Sequence, residues 1–310
     1  MNLSRLAHVA LDVPDVELAT EFYSELFGLA TIAEQGGRRY LASGRSRTFE
    51  LELAEGEAAL DHFAFSVCGG EDLDAAAAVL AAAGVEVGAA PGGPGIERGI
   101  SFALPTGHAM DLVLESDPVG FVVAAQAPPA NQRGVGPVPI EHITLHAYDI
   151  KANAELLTKL GLRISESIRP PELPRWGNTF FRAGTMHHDL GMIVSPEDRP
   201  GLHHFCFEVP SYADLISISD AVASRGLVLD ASIGRHVSGN NVFLYFKDPF
   251  GHRLEVNTDM ARIDPAAPPL VREAPAPFDA WREGRPPAMT AGSPARDCRA
   301  AASLDSYATS

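Results

Sequence analysis

Cysteine is scarce in this chain: Cys68, Cys206 and Cys298 stand far apart, with no CxxC pair. An odd number at that spacing excludes a disulfide framework or a zinc knuckle and fits free thiols in a reducing cytoplasm. Clustered positive charge is missing as well. The formal net charge is −16 and no lysine or arginine run exists. That argues against nucleic acid or an anionic membrane as partner, because both are held by basic patches. No apolar run approaches a membrane span; residues 75–83 read as an alanine-rich helix. The opening MNLSRLAHVALDVPD lacks the continuous apolar core of a signal peptide. The expectation is a cytoplasmic protein.

What is present is an ordinary globular composition, 46% apolar and 21% charged, over 310 residues, enough for two domains. The chain also repeats itself. LAHVAL at residues 6–11 resembles IEHITL at 140–145, and DHFAFSV at 61–67 resembles HHFCFEV at 203–209. LPTGHAMD at 104–111 resembles DPFGHRLE at 248–255. Helices are expected near residues 16–27 and 152–160, ending at Gly28 and Gly161. Two more are expected over 73–83 and 212–225, closed by Gly84 and Gly226. Within each half the strand–helix–strands pattern occurs twice, so the fold class expected is α+β, with four βαβββ modules paired into two similar domains. The boundaries read as 1–123 for the first domain and 139–262 for the second. A Pro/Gly-rich linker covers 124–138, and a Pro/Ala-rich, partly disordered tail covers 263–310. Residues 89–95 look like a phosphate loop only superficially: no Lys-Ser/Thr follows, so they read as a connector.

The densest chemistry lies between Gly234 and Glu255, GRHVSGNNVFLYFKDPFGHRLE. It reads as a hairpin: His236 leads in, residues 242–246 form a strand, 248–251 a turn, and 252–257 the return. Alternation puts Tyr245 on one face and Leu244 and Phe246 on the other. It likewise groups Arg253, Glu255 and Asn257 opposite Leu254 and Val256. A carboxylate set between apolar strand neighbours is partly desolvated and wants a cation, a proton or a metal. His142 and His204 lie on two other strands of the same half, and His204 points away from its core-facing neighbours. Two histidines and one carboxylate from three strands have the composition of a facial triad with open coordination positions. The plainer reading of these residues is a buried polar cluster without a metal.

The hairpin resembles the signature of the type I extradiol ring-cleavage dioxygenases of the vicinal oxygen chelate superfamily, the catechol 2,3-dioxygenase and 2,3-dihydroxybiphenyl dioxygenase group. The matching residues are Gly234-Arg235-His236, Leu244-Tyr245, Asp248-Pro249-Phe250-Gly251 and Glu255. The resemblance covers about residues 1–260 and implies the glyoxalase-like fold. It implies His142, His204 and Glu255 as iron ligands, His188 as the active-site acid/base histidine, and His236 and Tyr245 as the pair that hydrogen-bonds substrate. The implied reaction is meta cleavage of a catechol-type aromatic by O2, both oxygen atoms being incorporated, in the breakdown of aromatic compounds. Fe(II) is the implied cofactor, with Mn(II) accepted by the same ligands, and a homo-oligomer is the usual assembly.

His146, His187 and His203 read as structural histidines beside the site. Phe180, Phe181 and Trp176 suggest an apolar substrate, and Ala231 stands where relatives that bind a carboxylate carry arginine. Residues 170–176 are a candidate pocket wall. In the first half, His8, His62 and Asp111 occupy the positions equivalent to His142, His204 and Glu255. Nothing there matches His236 or Tyr245, so they read as a non-catalytic relic of duplication rather than a second metal site. The competing functions are another metalloenzyme on this fold, of glyoxalase or epimerase type, and a non-catalytic protein that sequesters an aromatic or an antibiotic.

Overall fold

A computed structural model describes residues 1–43, 48–116, 134–136, 140–169, 176–195, 197–284 and 292–298. The first half forms an eight-stranded sheet. Its strands are β1 (Leu3–Val13), β2 (Ala30–Gln35), β3 (Arg38–Ala42), β4 (Leu51–Glu55), β5 (Ala59–Val67), β6 (Gly88–Ala89), β7 (Ile96–Ala103) and β8 (Ala109–Glu115). Helices α1 (Val16–Phe27) and α2 (Gly70–Ala82) belong to the same half. The second half repeats the plan with β9 (Ile140–Ala147), β10 (Arg163–Arg169), β11 (Thr179–Arg182), β12 (Leu190–Val194) and β13 (Gly201–Glu208). It continues with β14 (Leu229–Arg235), β15 (Val242–Lys247) and β16 (Arg253–Thr258), plus helices α3 (Ile150–Lys159) and α4 (Tyr212–Ser224). The strand orders match one for one: β2-β3-β4-β1-β5-β8-β7-β6 in the first sheet and β10-β11-β12-β9-β13-β16-β15-β14 in the second.

Helix α1 covers the residues expected for it. Asp15 accepts a hydrogen bond from the Leu18 backbone N–H, and Gly28 closes the helix at φ 72°, a conformation glycine adopts without steric cost. No helix among the described residues is long and apolar enough to cross a membrane.

Each half lends its first helix to the other. The Phe27 ring of α1 lies 4.9 Å from Phe207 on β13, and the Tyr23 hydroxyl donates to Asp248 at 2.8 Å. Asp248 in turn accepts the backbone N–H groups of Phe250 and His252, fixing the Asp-Pro-Phe-Gly turn. Asn153 of α3 bonds Thr106 in the equivalent turn of the first half at 2.9 Å. The two turn histidines close the exchange: Gly201 N–H donates to His108 Nε2, and His252 Nε2 donates to the Asp12 carbonyl, both at 3.1 Å. One hydrophobic core therefore runs through both sheets.

Part of the tail is built onto the body. Strand β17 (Leu270–Glu273) pairs in parallel with β10, covering that sheet edge, and β18 (Ser293–Pro294) pairs with β13. The linker apart from 134–136, the wall segment 170–175 and the chain end from 299 onward lie outside the described residues.

Tyr23→Phe removes one hydroxyl and leaves a buried carboxylate short of a donor. It is expected to destabilise the fold by about 1–3 kcal/mol in a urea titration. An unchanged midpoint would show that this cross-half bond contributes nothing.

Candidate metal centre

Three strands deliver three side chains to one point. His142 sits mid-β9, and β13 runs antiparallel to it with Cys206 opposite His142. Strand β16 then pairs in parallel with β13, Cys206 opposite Glu255. The Nε2 atoms of His142 and His204 are 3.1 Å apart, and Glu255 Oε2 lies 3.3 Å and 3.0 Å from them. Such separations suit ligand atoms that share one ion at about 2.1 Å. All three side chains are buried.

Two of the three, His142 and Glu255, are held from behind. Glu141 Oε2 accepts from His142 Nδ1 at 2.9 Å, which leaves Nε2 free to turn a lone pair toward an ion. Asn257 donates to the same Glu141 oxygen. Asn241 donates to Glu255 Oε1 at 2.8 Å, and the Tyr245 hydroxyl lies in a short hydrogen bond to Glu255 Oε2. Glu141, Asn241 and Asn257 were not singled out from sequence. Asn257 was legible in principle, two residues beyond Glu255 on the same strand face. Glu141 and Asn241 needed the fold. Cys206 also adjoins Glu141 and His142, but burial pushes its thiol well above the usual range. It stays protonated and is a poor ligand.

His236 stacks on Phe243 with ring centroids 3.8 Å apart, and its Nε2 lies 2.8 Å from the Tyr245 hydroxyl. Its Nδ1 donates to the Phe278 carbonyl at 3.1 Å. That carbonyl can only accept, so Nδ1 carries a hydrogen. Tyr245 has one hydrogen to give, to His236 or to Glu255. His188 packs over His142 with ring centroids 4.4 Å apart. Its Nδ1 meets His187 Nδ1 at 3.0 Å, and His187 Nε2 faces Glu166 at 3.4 Å. Ser238 and Arg272 hold that Glu166 carboxylate in turn.

These residues open into a cavity of about 930 Å³ lined by His188, His204, His236, Tyr245 and Glu255, with Phe180 and Ile168 on its walls. Tail residues 275–284 form another wall. Of the three aromatics noted in the sequence, Phe180 reaches the cavity, Phe181 joins the core, and Trp176 carries the Arg169 guanidinium on its ring. His203 lines the cavity beside His204.

The charges are frustrated without an ion. Burial opposes a charged His142, yet the Glu255 and Glu141 carboxylates raise it to about 9. Burial drives His204 down to about 4. Burial also opposes a charged Glu255, but His142 and the hydrogen bonds from His142, His204 and His236 hold it well below the usual carboxylate range. One anion and two imidazoles converge, a donor set that fits a divalent cation.

The first half places His8 and His62 with Nε2 atoms 3.4 Å apart, and Asp111 Oδ2 3.7 Å from His62 Nε2. The chemistry around them differs. By strand register, Ser101 faces Asp111 where Tyr245 faces Glu255. The Phe49 ring lies tilted against His8 with centroids 4.3 Å apart, as His188 lies against His142.

A family model, the Glyoxalase/Bleomycin resistance protein/Dioxygenase superfamily, matches residues 5–123 and again 139–256. The manganese-dependent 2,3-dihydroxybiphenyl 1,2-dioxygenase of Geobacillus genomosp. 3 is 28% identical over 281 residues, 82% of this chain and 85% of that protein. A metapyrocatechase of Pseudomonas sp. (strain CF600) is 27% identical over 265 residues, covering 82% and 86%. Among solved structures, the homoprotocatechuate 2,3-dioxygenase of Brevibacterium fuscum, in an anaerobic complex with 3,4-dihydroxyphenylacetate, superposes with a TM-score of 0.83. It is 25% identical and covers 96% of this chain and 95% of that one.

Adding Fe(II) or Mn(II) to chelator-treated protein is expected to raise its stability, by about 2.7 kcal/mol at 100 times Kd. Glu255→Gln is expected to lose most of that gain in the same melt; an undiminished gain would place the ion elsewhere.

Proposed function

The chain belongs to the glyoxalase/bleomycin resistance protein/dioxygenase superfamily, and we propose that within it the protein is an extradiol ring-cleaving dioxygenase acting on a catechol-type aromatic with O2. The observation that carries this reading is that His204 and Glu255 of the His142–His204–Glu255 set line one cavity together with His188, His236 and Tyr245. A glyoxalase or epimerase has no need of that second trio, and a sequestering protein needs neither set. The similarity to the dioxygenases above points the same way.

His142, His204 and Glu255 would hold Fe(II); Mn(II) fits the same donors. When bound, the ion supplies a single centre where catechol and O2 meet and exchange electrons. The protein's own part is binding, orientation and proton handling. Tyr245 and His236 form a hydrogen-bonded pair beside Glu255, placed to take a catechol hydroxyl proton and to hold the ring oxygen afterwards. His188 stands over His142 on the cavity wall. Burial pulls its imidazole well below the usual range, with the His142 charge adding to the effect. It is therefore a neutral ring that can accept or return a proton at the reacting oxygen. Thr144 lines the same cavity with a buried hydroxyl that has no protein partner, a further donor for the substrate. The low polarity of Phe180, Ile168, Ile193 and Val237 keeps bulk water away from the ring.

Charge narrows the substrate class. Arg282 lines the cavity, but its guanidinium is engaged by Asp279 at 2.7 Å, the Ser232 hydroxyl at 2.6 Å and two carbonyls at 2.9 Å. Ala231 packs against Phe243 and Tyr245 and offers no charge. A neutral catechol with an apolar substituent suits this surface better than a carboxylated one, whose anion would be left unpaired.

Anaerobically prepared, Fe(II)-loaded protein is expected to consume O2 with such catechols and turn the solution yellow. Carboxylated analogues should be at least ~10-fold poorer in kcat/KM, the ratio for about 1.4 kcal/mol. His188→Asn should lower kcat by roughly 100-fold or more at unchanged iron content. No oxygen uptake across a catechol panel would sink this reading.

A further inference from the structure

We propose that the first half holds a second, closed divalent-metal site, formed by His8, His62 and Glu52 with Asp111 as fourth donor, and that its ion is structural and of the zinc type. The relic reading rested on His8, His62 and Asp111 alone. The fold adds Glu52, which no sequence alignment of the halves points to. Ligand atoms of His8, Glu52 and His62 lie within 4.8 Å of one another. Asp111 Oδ2 stands 3.7 Å from His62 Nε2.

Strand register shows where Glu52 comes from. It lies opposite Ala10 on β1, two residues past His8. The equivalent residue of the second half is Gly191, opposite Thr144, two residues past His142. A Cβ on Gly191 would stand 2.5 Å from the Thr144 hydroxyl. So in the second half the Thr144 side chain takes the space beside residue 191 and lines the cavity, whereas the first half pairs a small Ala10 with a carboxylate. Where one half lines its cavity, the other supplies an extra ligand.

The first-half set also has the unfinished bonding of a site. Glu52 Oε2, Asp111 Oδ1 and His8 Nδ1 are buried without a hydrogen-bond partner, and none of the four residues is more than 4% exposed. Buried carboxylate oxygens left bare are costly, and a cation between them removes the cost. The surroundings are prepared for one. Arg38 takes only the other Glu52 oxygen, Oε1, and also reaches Asp61 at 3.1 Å. Asp61 faces His62 Nδ1 at 3.4 Å, the carboxylate–histidine arrangement that aims Nε2 at a metal. Two imidazoles and the Glu52 carboxylate converge, all buried and with no residue of the second half's cavity among them, and Asp111 beside His62 would complete the four donors of a structural zinc site.

The test counts ions in the whole 310-residue chain. Protein stripped with chelator is dialysed against excess zinc, desalted and measured by elemental mass spectrometry. Wild type is expected to hold two ions per chain, and His204→Gln/Glu255→Gln and His62→Gln one each. The zinc-edge X-ray absorption of the folded His204→Gln/Glu255→Gln protein should show two imidazoles, oxygen donors and no sulfur. That spectrum decides the matter even if His62→Gln does not fold. One ion in wild type and none in His204→Gln/Glu255→Gln would overturn the proposal, and so would a retained ion with a sulfur donor or without two imidazoles. Oxygen uptake by the second half is measured separately, so failure of either reading leaves the other standing.

Discussion

A single buried carboxylate organises the second half. Glu255 sits on an inner strand of a ten-stranded sheet, where an unpaired charge would cost several kcal/mol. The fold answers with donors from every side: His204 from the adjacent strand β13, His142 from β9 beyond it, Tyr245 from the hairpin partner, and Asn241 from the loop before it. Two of these are fixed by further contacts: Glu141 stands behind His142, and His236, itself tied to the Phe278 carbonyl, meets the Tyr245 hydroxyl. A centre built this way is rigid before anything binds, which is what precise placement of two small reactants demands.

Duplication explains how such a centre arose and how the two halves came apart. Both sheets have the same strand order and both converge two histidines and an acid. The differences sit at a few equivalent places: Phe49 beside His8 against His188 beside His142, Ser101 against Tyr245, Glu52 against Gly191. In each pair the second half carries either a polar side chain that lines the cavity or, at Gly191, no side chain at all. The halves remain interlocked through Tyr23–Asp248, Asn153–Thr106 and the two turn histidines, so neither can relax without disturbing the other. The tail adds a third participant. Phe278 closes over His236, and β17 caps an exposed edge beside the cavity.

Much of this was readable from the chain alone. The four helices fell near the expected positions because apolar period and closing glycines are local signals. Strand alternation separated Tyr245 and Glu255 from Leu244, Phe246, Leu254 and Val256, which the structure places in the core. The internal repeat paired His142 with His8 and Glu255 with Asp111, and the hairpin motif tied His236, Tyr245 and Glu255 together. These relations depend on residues near each other in sequence or on self-similarity, and neither requires knowing which strands are neighbours.

Other relations depend wholly on strand neighbours. Glu52 meets His8 and His62 because β4 lies parallel to β1, and Asn257 reaches Glu141 across two intervening pairings. The Glu166–His187 contact joins residues 21 apart, and Phe278 reaches His236 over 42. So the chain by itself determined the modules, the candidate site side chains and the face each one takes, since a strand's alternation and a helix's period are fixed by local geometry. The tertiary structure alone decided which carboxylate backs which histidine, which half keeps an open cavity and where the tail rests. Those outcomes follow from register between distant strands, which no local pattern encodes.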